Sequence, residues 1–292
     1  MRSTWALGLA AFLSCTGASH AELIIRGGSA RYTADIVDAL IKEARTHGVE
    51  PRVVEITGRF GADQARLERV AAGERTFFAL GPHATALAGV VVQSSSNARL
   101  ISLAVPNPER VQATAAYIAF YPRAEPALRW LAERFHARTF ALVYTPSQNA
   151  AMVATFDAAA KTLGLGLRAV PAASSGELVR GLRAAVREVD VVLFPVDPLL
   201  FDRESVRIVV DEARAAGKPV VGFLPDVATL GFAGALVNSP EALAKTAWEL
   251  SREPPAAASP VQEVDGPMLF VTKDGTTTID LEAEAAGEKR RR

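Results

Sequence analysis

The chain has 292 residues, 49% of them hydrophobic and 22% charged, with 17 prolines and 21 glycines, which is the make-up of a folded globular protein and not of a disordered one. Its 32 basic residues balance 32 acidic ones, so there is no electrostatic footprint for nucleic acid. The one dense basic run, KRRR at 289–292, follows an Ala/Glu-rich stretch and reads as a solvated, disordered tail over 283–292.

The first 21 residues, MRSTWALGLAAFLSCTGASHA, read as a secretory signal peptide. Arg2 supplies the charged start, Trp5 to Leu13 the apolar centre, and Ser19 and Ala21 the small residues of a cleavage site. The apolar run is too short to span a bilayer, and no later segment reaches about 18 uninterrupted apolar residues. Cleavage leaves 31 basic and 32 acidic residues, and removes Cys15, the single cysteine, so the mature chain has no thiol, disulfide or cysteine metal ligand. The other reading of FLSC is a lipoprotein box with Cys15 lipidated, but Phe12 and Leu13 fit that pattern badly.

From Glu22 onward, short apolar runs rich in β-branched residues alternate with stretches of helical period. ELIIRGG (22–28) leads to a helix over 33–48, where Ile36, Leu40, Ile41 and Ala44 share a face and Gly48 ends it. RVVEITG (52–58) leads to a helix through Gly73, RTFFALG (75–81) to one through about Val91, and ARLISLAV (98–105) closes the series. After YIAFYPRAEP (117–126) the pattern restarts with a helix to Phe135, then strands at 139–146, 167–172, 191–195 and 219–226. Helices at 150–164, 176–189 and 205–217 separate these strands. This alternation implies parallel strands with right-handed crossovers, the doubly wound α/β class, in two lobes. GALVNSPEALAKTAWEL (234–250) then reads as a helix, and 267–282 as a hairpin around Lys273, Asp274 and Gly275. The expected division is 22–121 for lobe 1, completed by about 235–258, and 122–234 for lobe 2, completed by about 259–282.

The sequence lacks the motifs of phosphate cradling, dinucleotide binding and serine hydrolysis: GxxxxGK[ST], GxGxxG opening a first helix, and GxSxG. His20, His47, His83 and His136 never fall at a spacing that shares a helical face, which speaks against a metal site. No catalytic residue, metal or cofactor is therefore expected. The polar residues that stand out lie at the carboxyl ends of strands, where open α/β sheets bind ligands: Gly27, Gly28, Ser29, Gly81, His83, Asn107, Thr145, Ser147, Gln148, Asn149, Asp197 and Asp226. Each has a plainer alternative. The glycines suit tight turns, His83 a first helical turn, Ser147 or Asn149 an N-cap, and Asp226 a turn cap. Asp197, set between Pro195 and Pro198 in VVLFPVDPLLF, either accepts a hydrogen bond from a bound solute or caps its own turn, although Asp202 and Ser205 are better placed for the helix that follows.

Four segments, RTFALVYTP, FDAAAKTLGLGL, SSGELVRGLRAAVREVDVVLFPVDP and ARAAGKPVVGFLPDVATLGFAGALV, resemble the second half of ABC transporter substrate-binding proteins of the tryptophan/tyrosine-type family. The likeness is good over 125–255. Over 22–121 the order of strands and helices agrees but the motifs do not. It implies the type I periplasmic binding protein fold, with two α/β lobes joined by three crossovers and closing on a small polar solute, commonly an amino acid. In that picture the ligand loops are GPHA (81–84), TPSQN (145–149), PVDP (195–198) and LPD (224–226), and Asp197 accepts from an amino group while helix N-terminal amides hold a carboxylate. The chain departs from the family at Asn107, where an acid is usual, and at its end, FVTKDGTTTIDLE.

The expectation is a monomeric periplasmic solute-binding protein without chemistry of its own, which delivers its solute to an ABC permease in the inner membrane by hinge closure. The alternative is a sensor or accessory protein of the same fold that reports to a receptor or sensor kinase. A third reading, an enzyme using Asp197 and Asp226 as acid and base, has no nucleophile or metal to support it.

Overall fold

A computed structural model of the chain describes residues 22–28, 30–93, 98–106, 108, 115–197, 200–253 and 261–280. Residues 1–21, which the sequence reads as a signal peptide, Ser29, Asn107, Pro198 and the tail 283–292 lie outside the described residues. No helix among those described is long and apolar enough to cross a membrane.

Lobe 1 is built on a six-stranded, all-parallel sheet. Its strands are β1 (Leu23–Gly27), β2 (Arg52–Ile56), β3 (Thr76–Leu80), β4 (Arg99–Val105), β5 (Ala115–Ala119) and β11 (Val261–Gln262), in the spatial order β11-β5-β4-β3-β1-β2. Parallel sheets are covered on both faces, and alternate residues serve opposite cores. Ile24 and Phe78 join the cluster under α1 (Arg31–Thr46) and α8 (Pro240–Arg252), whereas Leu23, Ile25, Phe77 and Ala79 join the one under α2 (Phe60–Ala71) and α3 (Pro82–Gln93). Phe77 and Phe78 are each 1% exposed, and full burial of such a side chain contributes about 1.5–3 kcal/mol.

Lobe 2 repeats the plan with β6 (Thr139–Tyr144), β7 (Gly166–Pro171), β8 (Val191–Phe194), β9 (Val220–Gly222), β10 (Gly234–Asn238), β12 (Met268–Thr272) and β13 (Gly275–Ile279). The spatial order is β13-β12-β10-β9-β8-β6-β7, parallel except for the last hairpin. Helices α4 (Ala124–Phe135) and α5 (Pro146–Thr162) cover one face, and α6 (Ser175–Ala185) and α7 (Arg203–Ala215) the other.

The chain passes between the sheets three times: at 120–123, after β10 at 238–239, and at 263–267. Two features differ from the sequence expectation. Residues 234–238 form β10, a strand of lobe 2 buried at every position, and not the start of a helix. The short β11 pairs with β5 in lobe 1, so the final crossing comes a few residues after 259. A run such as GALVN, apolar and five residues long, carries no period that separates strand from helix.

Candidate functional site

In each sheet the strand order reverses direction once, between β1 and β3 in lobe 1 and between β6 and β8 in lobe 2. The crevice outside the carboxyl ends at such a point is where open α/β sheets receive ligands. The two lobes treat it differently.

In lobe 1 the crevice is open. A pocket of about 770 Å³ lies over the ends of β1, β2 and β3, lined by Gly27, Gly28, Thr57, Gly58, Gly81 and His83 among others. Gly28 and Gly81 have φ of +81° and +87°, a backbone that side-chain-bearing residues rarely adopt, so the chain turns there without placing a side chain in the crevice. Ala30, the residue before α1, has no side chain that could cap the helix, and the N-terminus of α1 faces this crevice.

Beneath this crevice sits Asp63, 2% exposed, which the sequence reading missed. Its carboxylate accepts from the Thr57 amide (3.0 Å to each oxygen), the Thr57 hydroxyl (3.0 Å) and the Gly58 amide (2.9 Å). The Thr57 backbone N–H above all holds this acid below its usual range. The local signal was an acid in the first turn of a helix just after Thr-Gly. His83 Nε2 lies 4.0 Å from Asp63 Oδ2, and its half-exposed ring meets the exposed Phe60 ring edge-on at 6.3 Å. Arg26 and Glu55 pair on the rim, so their charges are largely mutually satisfied.

In lobe 2 a buried carboxylate stands at the equivalent point. Asp197 is 0% exposed. Its oxygens accept from the Thr145 amide (2.7 Å), the Thr145 hydroxyl (3.0 Å) and Asn149 Nδ2 (3.0 Å). Asp197 thus joins the end of β8 to the end of β6, across the switch point itself. The Asp197 side chain is enclosed within the protein and engaged by the loop that starts α5. Burial with three donors explains why a carboxylate can sit there, since ionised groups enter a core only when so compensated. The helix start that follows is capped by Asp202, which accepts from the Glu204 and Ser205 amides.

Thr145 and Asn149 are each 1% exposed and belong to this internal network, Asn149 at a non-helical point (φ −124°, ψ 17°) inside α5. Ser147 and Gln148 lie between them in the first turn, exposed and half-buried respectively. Asp226 is exposed in the 3-10 turn Pro225–Leu230, where its carbonyl accepts from the Thr229 hydroxyl. An acid and base pair of Asp197 and Asp226 has no basis in this arrangement, because Asp197 is enclosed. Among the described residues no group of three or more His, Cys, Asp or Glu side chains could hold a metal ion.

The crossings are stitched to both lobes. The Tyr121 hydroxyl donates to the Val196 carbonyl at 3.0 Å, and Arg123 Nη1 donates to Asp265 at 2.6 Å, joining the first crossing to the third. At the second crossing, Asn238 Nδ2 donates to the Ala119 carbonyl (3.2 Å), and its own carbonyl accepts from the buried Tyr32 hydroxyl (2.6 Å).

No protein-family model matches the chain, and no curated protein sequence does. Similarity appears in three dimensions. A ligand-free, open substrate-binding protein with adhesive properties from Clostridium difficile aligns over 90% of this chain and 92% of its own, at 16% identity and a TM-score of 0.63. An ABC domain in complex with L-Trp from Streptococcus pneumonia aligns over 92% and 94%, at 16% identity and 0.54. A conserved domain protein from Vibrio cholerae aligns over 92% and 95%, at 14% and 0.56. At these identities the likeness establishes the fold, which is that of the type I periplasmic binding proteins.

Proposed function

We propose that this protein is a periplasmic solute-binding protein that captures a small polar molecule, an amino acid or similar, between its lobes and delivers it to an ABC permease. The observation that carries this reading is the crevice at the switch point of lobe 1. It is open and glycine-lined, with a half-exposed histidine at its edge, while the switch point of lobe 2 carries a buried carboxylate. A solute bearing an anionic group would dock first on lobe 1, its charge favoured by the α1 N-terminus, and lobe 2 would close over it with Ser147, Gln148 and Asp226 at its face. The L-Trp complex of a protein with the same fold supports a solute of this kind.

The test is a thermal-shift screen of the protein against amino acids, small peptides, purines and sugars. A ligand at 100 times its dissociation constant adds about 2.7 kcal/mol of stability. His83→Ala, at an exposed position, is expected to weaken that ligand about tenfold, or about 1.4 kcal/mol. If no compound in the screen raises the melting temperature, solute capture is wrong, and the sensor reading, in which the fold reports to a receptor or kinase, takes its place.

A further inference from the structure

A second concavity, of about 280 Å³, lies at the hinge beside the ends of β4, β5 and β11. Its walls come from both lobes: Pro106 and Pro108 after β4, Phe120 of the first crossing, Met152 and Phe156 of α5, and Val261 of β11. The polar groups at its margin are engaged. Arg123 donates to Asp265 and the Tyr121 hydroxyl to the Val196 carbonyl, while Glu263 is exposed to water. An apolar cavity of about 150 Å³ is enough to take up benzene, so a pocket nearly twice that size accommodates one or two rings. It is too small for a helix, whose diameter is about 10 Å.

The wall formed by Pro106 and Pro108 is set by a backbone irregularity. The β4–β5 register shifts between Ser102 and Val105, and Ala104 adopts φ 55°, a left-handed conformation costly for a residue with a Cβ. Strain of this kind persists where surrounding structure holds it, and it accumulates at binding sites.

We propose that this hinge pocket is a ligand site in its own right, for a compact, uncharged molecule of one or two apolar rings, and that its occupation fixes the angle between the lobes. The coupling follows from the walls. Lobe rotation must change the separation of Pro106 and Pro108 from Met152 and Phe156, so a ligand that fills the space selects one angle over the others. The site is chemically unlike the polar crevice of lobe 1 and stands independently of the solute bound there.

The test uses the full chain and 4-fluorotoluene, followed by fluorine NMR. A saturable change in the probe signal is expected, abolished by Met152→Trp, which fills the pocket. Thr155→Trp, at an exposed position on the same wall, is expected to abolish it without burdening the fold. Leu230→Ala, at an exposed apolar side chain away from the pocket, should leave it intact. Equal binding in both Trp variants, loss of binding in Leu230→Ala, or no saturable change up to the probe's solubility would overturn the site. Small-angle scattering reads the coupling: the probe should shift the radius of gyration of the parent protein and not that of Thr155→Trp. An unchanged radius with probe bound would overturn control of the lobe angle.

Discussion

Asp197 and Asp63 show how one residue type serves two different crevices. Removing the Asp197 carboxylate takes this acceptor from the buried Thr145 amide and hydroxyl and leaves Asn149 Nδ2 with the longer bond to the Val196 carbonyl (3.4 Å), at about 1–3 kcal/mol for each group so deprived. Asp197→Ala is therefore expected to lower the unfolding free energy of the solute-free protein by about 3 kcal/mol or more, and Asp197→Asn, which keeps an oxygen in place, by clearly less. Urea denaturation decides it: if neither variant changes the midpoint, the internal role is wrong. The sequence made Asp197 conspicuous but hid its job, because its partners stand 52 and 48 residues away across a strand pairing that no local pattern reveals. Asp63 was less conspicuous for the opposite reason, a first-turn acid being ordinary in any helix.

Titration behaviour separates the acids further. Burial pushes the Glu22 carboxyl up to about 7 from 4.5, with Arg252 opposing the rise and Glu74 adding to it, and among the described residues Oε2 has no hydrogen-bond partner. The folded state thus holds a proton that the unfolded chain releases. The resulting stabilisation is complete below pH 4.5 and disappears as pH rises through 7. Asp63, Asp190 and Asp202 are held below their usual range by backbone N–H groups, and their contribution runs the other way, disappearing on acidification. Urea midpoints measured on either side of pH 7 should fall with rising pH, and Glu22→Gln should flatten that fall. A parent protein whose midpoint is constant across this window would contradict the burial of Glu22.

At the scale of elements, the long periodic segments were legible and the short ones were not. Helix α7 spans Arg203–Ala215 and matches the helix expected over 205–217 to within two residues at each end, because Val206, Val209, Val210 and Ala213 repeat at helical spacing on one buried face. Strands β5, β10 and β11 were missed as strands. Each is five residues or fewer, and each is defined by what it pairs with. Strand β4 carries a further element-level feature in the left-handed Ala104. Replacing it with glycine relieves about 1 kcal/mol of backbone strain, so Ala104→Gly should raise the unfolding free energy by up to that amount. A loss of stability instead would mean that the Ala104 methyl, half-buried at the end of the strand, makes packing contacts worth more than the strain.

For the whole molecule, the repeated βα alternation made two lobes legible, while the open crevice of lobe 1 and the buried carboxylate of lobe 2 were not. The first depends on two glycines with positive φ and the second on hydrogen bonds between distant strands, features invisible to periodicity. The chain's path also bears on how the protein is made. Helix α8 packs Leu243 and Trp248 into the same core as Ile36 and Leu40 of α1, and β11 adds the outer strand beside β5. Both arrive only after nearly all of lobe 2 has been synthesised. The amino-terminal lobe therefore emerges first yet finishes late, its α1 face uncovered until some 200 residues have followed, as the spacing of Tyr32 from its partner Asn238 records (206 positions). Contacts that span so much of the sequence are slow to form, so the core beneath α1 and α8 is expected to be the last part of the molecule to close during folding.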